Sequence, residues 1–157
     1  MKRAAGFTLI ELMVTLAVMA VLAAAGTPFA LSWMDSNRQM QARNLMWEGI
    51  SQARAVALRN PGGALQGGVS AKLQRSGNTL TVLGAGSTVV LWTGELPAGA
   101  TTQLANAAGS ASGDLSCVAF DNRGQRVIAG PDCIIASDRT RVAVGFSSQE
   151  VLHVDLL

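Results

Sequence analysis

"GFTLIELMVTLAVMAVLAAAG", residues 6–26, is a long apolar run that holds one charged residue, Glu11. From Leu12 to Met34 there is no charge at all across 23 positions. At about 1.5 Å per residue, a helix of that length spans roughly 35 Å, enough for the hydrocarbon core of a bilayer. Lys2 and Arg3 precede the run and put basic charge on its cytoplasmic side. What Glu11 is for decides which protein this is.

Three readings compete. In the first, the run is a secretory signal, with Leu12 to Leu22 as the apolar region and Ala23-Ala24-Ala25 as a small-x-small cleavage site. Against it, Glu11 abuts the apolar region, and helical sequence continues well past the cut. In the second, the run is a plain membrane anchor, and Glu11 near its end reaches the headgroups. Its cost then falls below the ~2.5–3.5 kcal/mol of a charge at the bilayer centre.

The third reading uses every residue. Gly6-Phe7-Thr8-Leu9-Ile10-Glu11, behind a short basic leader, resembles the processing site of type IV prepilins and type II secretion pseudopilins. In that family a prepilin peptidase cuts after the glycine and methylates the new N-terminus, so the resemblance implies cleavage between Gly6 and Phe7 and N-methylation of Phe7. The glutamate five residues into the mature chain is Glu11. Pro28 falls where many pilins carry a helix-melting proline. The apolar segment is then kept. Cleavage creates a positive amine at Phe7, and an unpaired charge of either sign is expensive in low dielectric. Opposite charges on adjacent subunits therefore favour one register. Glu11 is expected to guide subunit assembly, its partner being the N-terminus of a neighbouring pilin.

Outward from this run, residues 35–60 continue the helix. Apolar or small residues recur at Ala42, Leu45, Met46, Gly49, Ile50, Ala53, Val56 and Ala57, the spacing of one helix face, and the charged residues fall largely elsewhere. Asn60-Pro61-Gly62-Gly63 stops it. The pattern predicts one helix of about 50 residues, apolar all round in its first half and amphipathic in its second. Pro28, flanked by Gly26 and Thr27, should kink or locally melt it.

Residues 64–157 read as β structure. Strands are expected at Val69–Leu73, Thr79–Leu83, Thr88–Trp92, Ser116–Phe120, Arg126–Ile128, Arg141–Phe146 and Val151–Leu156. Turn clusters punctuate them, among them Gly84-Ala85-Gly86, Asn122-Arg123-Gly124 and Gly130-Pro131-Asp132. Between Ala98 and Gly113 the chain is rich in Ala, Gly, Ser and Thr, which reads as a long surface loop. The fold class is α+β: a long N-terminal helix packed on a small antiparallel β head. The many short strands and the Cys117/Cys133 pair are similar to the GspH/FimT/FimU group of minor pilins and pseudopilins.

Cys117 and Cys133 would be free thiols in a reducing compartment. Beyond an export or anchoring segment they are expected to form a disulfide. Closing that loop contributes about 3 kcal/mol on the chain-entropy account.

The formal net charge of +2 is too small to recruit nucleic acid or acidic lipid by bulk electrostatics. Residues 61–157 hold six Lys/Arg against seven Asp/Glu. His153 is the one histidine, so no metal cluster is expected, nor any cofactor. His153 and Asp155 would share a strand face without a nucleophile motif, and no enzyme is visible. DNA uptake by some FimT-like pilins, through a C-terminal arginine motif, points to Arg123, Arg126, Arg139 and Arg141 as the nearest echoes. Asp121, Asp132 and Asp138 lie beside them, and a Gly-Arg-x-Arg string is missing, so DNA is a disfavoured partner.

The resemblance thus implies a leader at 1–6, a membrane or filament-core helix at 7–34, an amphipathic continuation at 35–60 and a periplasmic head at 61–157. The expected partners are other pilins, prepilin peptidase and, before assembly, the inner membrane. The expected role is that of a minor pilin in a type IV pilus. The alternatives are a type II secretion pseudopilin, a DNA-binding minor pilin for natural transformation, and a secreted β protein with a cleaved signal.

Overall fold

The computed structural model describes residues 7–130 and 133–156. The expected leader, with Lys2, Arg3 and Gly6, and the Pro131-Asp132 part of an expected turn lie outside the described residues. The chain divides into two compact units, Met1–Met34 and Asp35–Leu157.

One helix, α1, runs Leu9–Arg59 over 51 residues. It remains helical through Pro28, so the expected local melting is not seen there. Pro28 has no N–H to donate, which removes the i→i−4 bond to the Ala24 carbonyl without ending the helix. At the other end, Asn60 adopts a left-handed conformation at φ 47°, one of the few non-glycine residue types that does so readily. Its side chain then staples the exit. Asn60 Oδ1 accepts from the Ala64 N–H at 2.7 Å, and Asn60 Nδ2 donates to the Ala64 carbonyl at 3.0 Å. Ser70 Oγ donates to the Ala57 carbonyl at 2.8 Å, satisfying one of the carbonyls a helix end leaves over.

The second unit holds eleven strands among the described residues. They are β1 Ala71–Ser76, β2 Thr79–Gly84, β3 Val90–Glu95, β4 Ala100–Asn106, β5 Ala111–Asp114, β6 Cys117–Phe120, β7 Arg126–Val127, β8 Ala129–Gly130, β9 Cys133–Ile134, β10 Arg139–Phe146 and β11 Leu152–Asp155. All pairings are antiparallel. Five strands form one sheet in the order β3-β2-β1-β6-β7, four form another in the order β11-β10-β4-β5, and β8 pairs with β9. The architecture is the α+β one expected from the sequence.

The buried face of α1 is Gln39, Ala42, Met46, Gly49, Ile50, Ala53 and Ala57, the stripe its spacing predicts. It meets Leu73, Leu80, Val82, Val118 and Phe120 of the five-stranded sheet and Val142 and Val144 of β10 in one core. Gly49 sets the approach distance: a Cβ there would stand 3.1 Å from the Trp92 ring and 3.2 Å from Leu73. Buried Gln39 makes the polar connection, donating from Nε2 to the carbonyls of Val144 (3.2 Å) and Glu150 (2.6 Å).

One expectation is overturned. Residues 98–113 are not a long loop but a hairpin, β4 and β5, and β4 pairs along β10 from Arg139↔Asn106 to Phe146↔Ala100. Small side chains hid the alternation: Ala100, Thr102 and Ala105 are buried while Thr101 and Gln103 are exposed. Arg75 of β1 adds a long-range clamp, donating from Nη1 to Thr102 Oγ1 at 2.8 Å. The turn closes on Asn106, whose Oδ1 accepts from the Ser110 N–H, with Gly109 at φ 87°. The other strands lie within a few residues of their expected places, β3 running later than Thr88–Trp92. The β8–β9 pair was not anticipated.

Cys117 and Cys133 form the expected disulfide, with Cα atoms 5.8 Å apart. It ties β6 of the five-stranded sheet to β9 across 16 residues.

Candidate functional site at the N-terminus

Thr8 begins the helix. The Glu11 N–H donates to Thr8 Oγ1 at 3.3 Å, and the Leu12 N–H donates to the Thr8 carbonyl at 3.2 Å. A helix leaves its first N–H groups without partners, and a threonine at this position satisfies one of them. Thr8-Leu9-Ile10-Glu11 has the Thr-x-x-Glu spacing of a capping box, a signal that the sequence reading passed over in favour of Glu11 alone.

The cap gives Glu11 a local reason to be there. A carboxylate in the first turn faces the positive end of the helix dipole, worth about 0.3–1 kcal/mol. That falls short of the ~2.5–3.5 kcal/mol of a central charge in a bilayer. Among the described residues no cation stands within ion-pair distance of Glu11. A positive partner from outside the chain would close the gap.

Every residue from 7 to 34 is exposed, including Phe7, Leu9, Ile10 and Phe29, each more than 70% accessible. An apolar surface of that extent marks a membrane or protein contact. The helix is long and apolar enough to cross a membrane. Both threonines within it turn their hydroxyls back onto the backbone: Thr15 Oγ1 donates to the Leu12 carbonyl and Thr27 Oγ1 to the Ala23 carbonyl, both at 2.8 Å. These two donors are thus satisfied within the helix, as an apolar surrounding requires. A Cβ added at Gly26 would meet nothing within 4 Å, so packing inside the chain does not explain that glycine.

The four head arginines do not form one basic surface. Arg123 and Arg126 belong to the β6–β7 hairpin of one sheet, Arg139 and Arg141 to β10 of the other. Arg123 lies 3.5 Å from the buried carboxylate of Asp121, and Arg141 is 2.7 Å from Asp155. Arg139 lies 3.6 Å from Asp138. Arg126 donates to the carbonyls of Ala136 and Ser137, and burial lowers its pKa while Asp138 partly restores it. Arg126 and Arg139 share the neighbourhood of Asp138, and Arg139 and Arg141 both donate to carbonyls of the β4–β5 turn, at Ser110 and Ala107, with Asp155 on Arg141. His153 and Asp155 do not make a dyad, because Asp155 is taken by Arg141 and His153 Nδ1 has no hydrogen-bond partner.

Residues 1–27 match the family model described as the prokaryotic N-terminal methylation motif. No curated protein and no solved structure matches the chain significantly. The matched segment contains the capped helix start, Glu11 and most of the exposed apolar run. It supports a protein of the type IV pilin class, a pilin-like subunit that works in a pilus or pseudopilus.

Proposed function

We propose that this chain is a minor pilin, cut between Gly6 and Phe7 by prepilin peptidase, methylated at Phe7 and held in the inner membrane until it enters a type IV pilus. Its role is structural and not enzymatic. Residues 7–34 supply the anchor and later the filament core, 35–60 join it to the head, and 61–157 form the head on the periplasmic side. Glu11 pairs with the Phe7 amine of a neighbouring pilin, and Pro28 is the point at which the helix yields on assembly. The single observation that carries the reading is the methylation-motif match over a segment whose apolar residues are all solvent-exposed in the isolated chain. Such a segment needs lipid first and other helices afterwards.

Mass spectrometry of the mature N-terminus tests it. Methylated Phe7 is the expected end, and a chain beginning at Gly26 overturns it in favour of a cleaved secretory signal. Glu11→Ala should leave membrane insertion intact and reduce incorporation into filaments, read by shearing pili and blotting for this subunit. Undiminished incorporation sinks the Glu11 pairing. A type II secretion pseudopilin would share the same N-terminal physics. The subunits that co-purify with this chain separate the two machines.

A further inference from the structure

The head contains a cavity of about 420 Å³ whose walls include Arg54 of α1, Gly124, Arg126, Ile128 and Leu156. Two guanidinium groups share it, and neither is fully used. Buried Arg54 Nε and buried Arg126 Nε both lack a hydrogen-bond partner among the described residues. Arg126 at least spends its outer nitrogens on the Ala136 and Ser137 carbonyls. Arg54 has no hydrogen bond or ion pair among the described residues, and its guanidinium rests over the Phe120 ring at 5.4 Å. Burial lowers the pKa of both. Asp138, which faces Arg126, is already engaged by Arg139. The Asp121 carboxylate of the neighbouring turn is filled by the Arg123 and Gln125 N–H groups and the Arg123 side chain.

A buried donor without an acceptor is costly. Two such Nε–H donors lining one cavity mark a place for an acceptor from outside the chain, and their positive charge favours an anion. The other walls decide which kind of anion. Ile128 is 46% exposed and apolar, Leu156 is buried and apolar, Gly124 offers no side chain, and Gln125 adds one exposed polar amide. A small hydrated ion would leave those walls wet. A carboxylate with an apolar group beside it would satisfy the guanidiniums and fill the rest.

We propose that this cavity is a docking site for a partner protein, taking a carboxylate presented next to an apolar side chain. The site is independent of Glu11 and of filament assembly, so its test stands or falls apart from the pilin reading.

The test uses the full chain in detergent micelles, labelled with ¹⁵N, and follows the Nε–Hε signals of Arg54 and Arg126. N-acetyl-leucine is the probe, since it carries a carboxylate beside an isobutyl group. It should shift both signals, and N-acetyl-leucine amide should bind at least about tenfold more weakly. Arg54→Gln should abolish the shift at Arg126 with little change in the thermal midpoint, because Arg54 makes no hydrogen bond or ion pair among the described residues and the variant loses only its contact with the Phe120 ring. Should that variant unfold, Arg54→Lys keeps the charge and is expected to keep weakened binding; full-strength binding or none with a folded Arg54→Lys counts against the site. The proposal is overturned by equal binding of acid and amide, or by no shift with the acid. It is overturned too, in favour of a phosphate site, if inorganic phosphate or a short DNA duplex shifts the same signals as strongly.

Discussion

The two halves of α1 have the same backbone and opposite environments. From Leu9 to Met34 no residue is buried; from Asp35 to Arg59 seven are, all on one face. In the second half the spacing of the small residues is explained inside the chain, by Gly49 against Trp92 and Leu73 and by Gln39 on the Val144 and Glu150 carbonyls. In the first half, among the described residues, no packing explains the apolar surface or Gly26, and Glu11 has the Thr8 cap beside it but no cation within ion-pair distance. A residue pattern without an intramolecular reason points to an intermolecular one, and the contrast locates that reason between residues 7 and 34.

Matched substitutions in the two halves can break this contrast. The largest effect is expected from Phe120→Ala, which empties a fully buried site in the head and should cost about 3–5 kcal/mol. The exposed counterpart Leu16→Ala should stay within about 0.5 kcal/mol. Urea unfolding of the full chain in micelles, followed by tryptophan fluorescence, measures both, and equal losses would erase the distinction. Replacing Cys117 and Cys133 by serine should lower head stability by about 3 kcal/mol, and reductant should do the same to the natural chain.

The two helix glycines sharpen the comparison further. Gly49→Ala sets a methyl against Trp92 and Leu73 and should cost about 1–3 kcal/mol in packing, offset in part by the ~0.8–1 kcal/mol that alanine gains in helix propensity, in the same urea assay. Gly26→Ala meets no neighbour and should leave the head midpoint where it is, while firming the helix by about 0.8–1 kcal/mol. The most local effect is expected at the cap: Thr8→Val should cost about 0.5–2 kcal/mol, confined to the first turn and visible as faster amide exchange at Glu11. Exchange that does not change would mean that the Thr8 hydroxyl is idle.

Much of this was legible in the sequence because bulk carries periodicity. Met46, Ile50 and the alanines between them announce one buried helix face, and Asn60-Pro61 announces its end. Two cysteines beyond a membrane-length segment announce a disulfide. Residues 98–113 were illegible for the complementary reason. Alanine, serine and threonine alternate there without contrast in size, and their strand character comes from pairing with β10 and from Arg75, both remote in sequence. The site was half legible. Glu11 stood out by its charge, whereas the cap at Thr8 needed the Thr-x-x-Glu spacing to be read as a helix start. The idle Nε atoms of Arg54 and Arg126 have no sequence signal, since they depend on which carbonyls and carboxylates the fold has already assigned elsewhere.

Gln39 has a mechanical consequence. It is the first buried residue met on passing along α1 from the N-terminus. Together with Arg38, which stands over the Phe146 ring at 6.0 Å, its bonds to the Val144 and Glu150 carbonyls join this part of α1 to the end of β10 and the turn beyond it. These contacts act as the strain relief of a cable, sharing a pull along the helix with the packed core behind them.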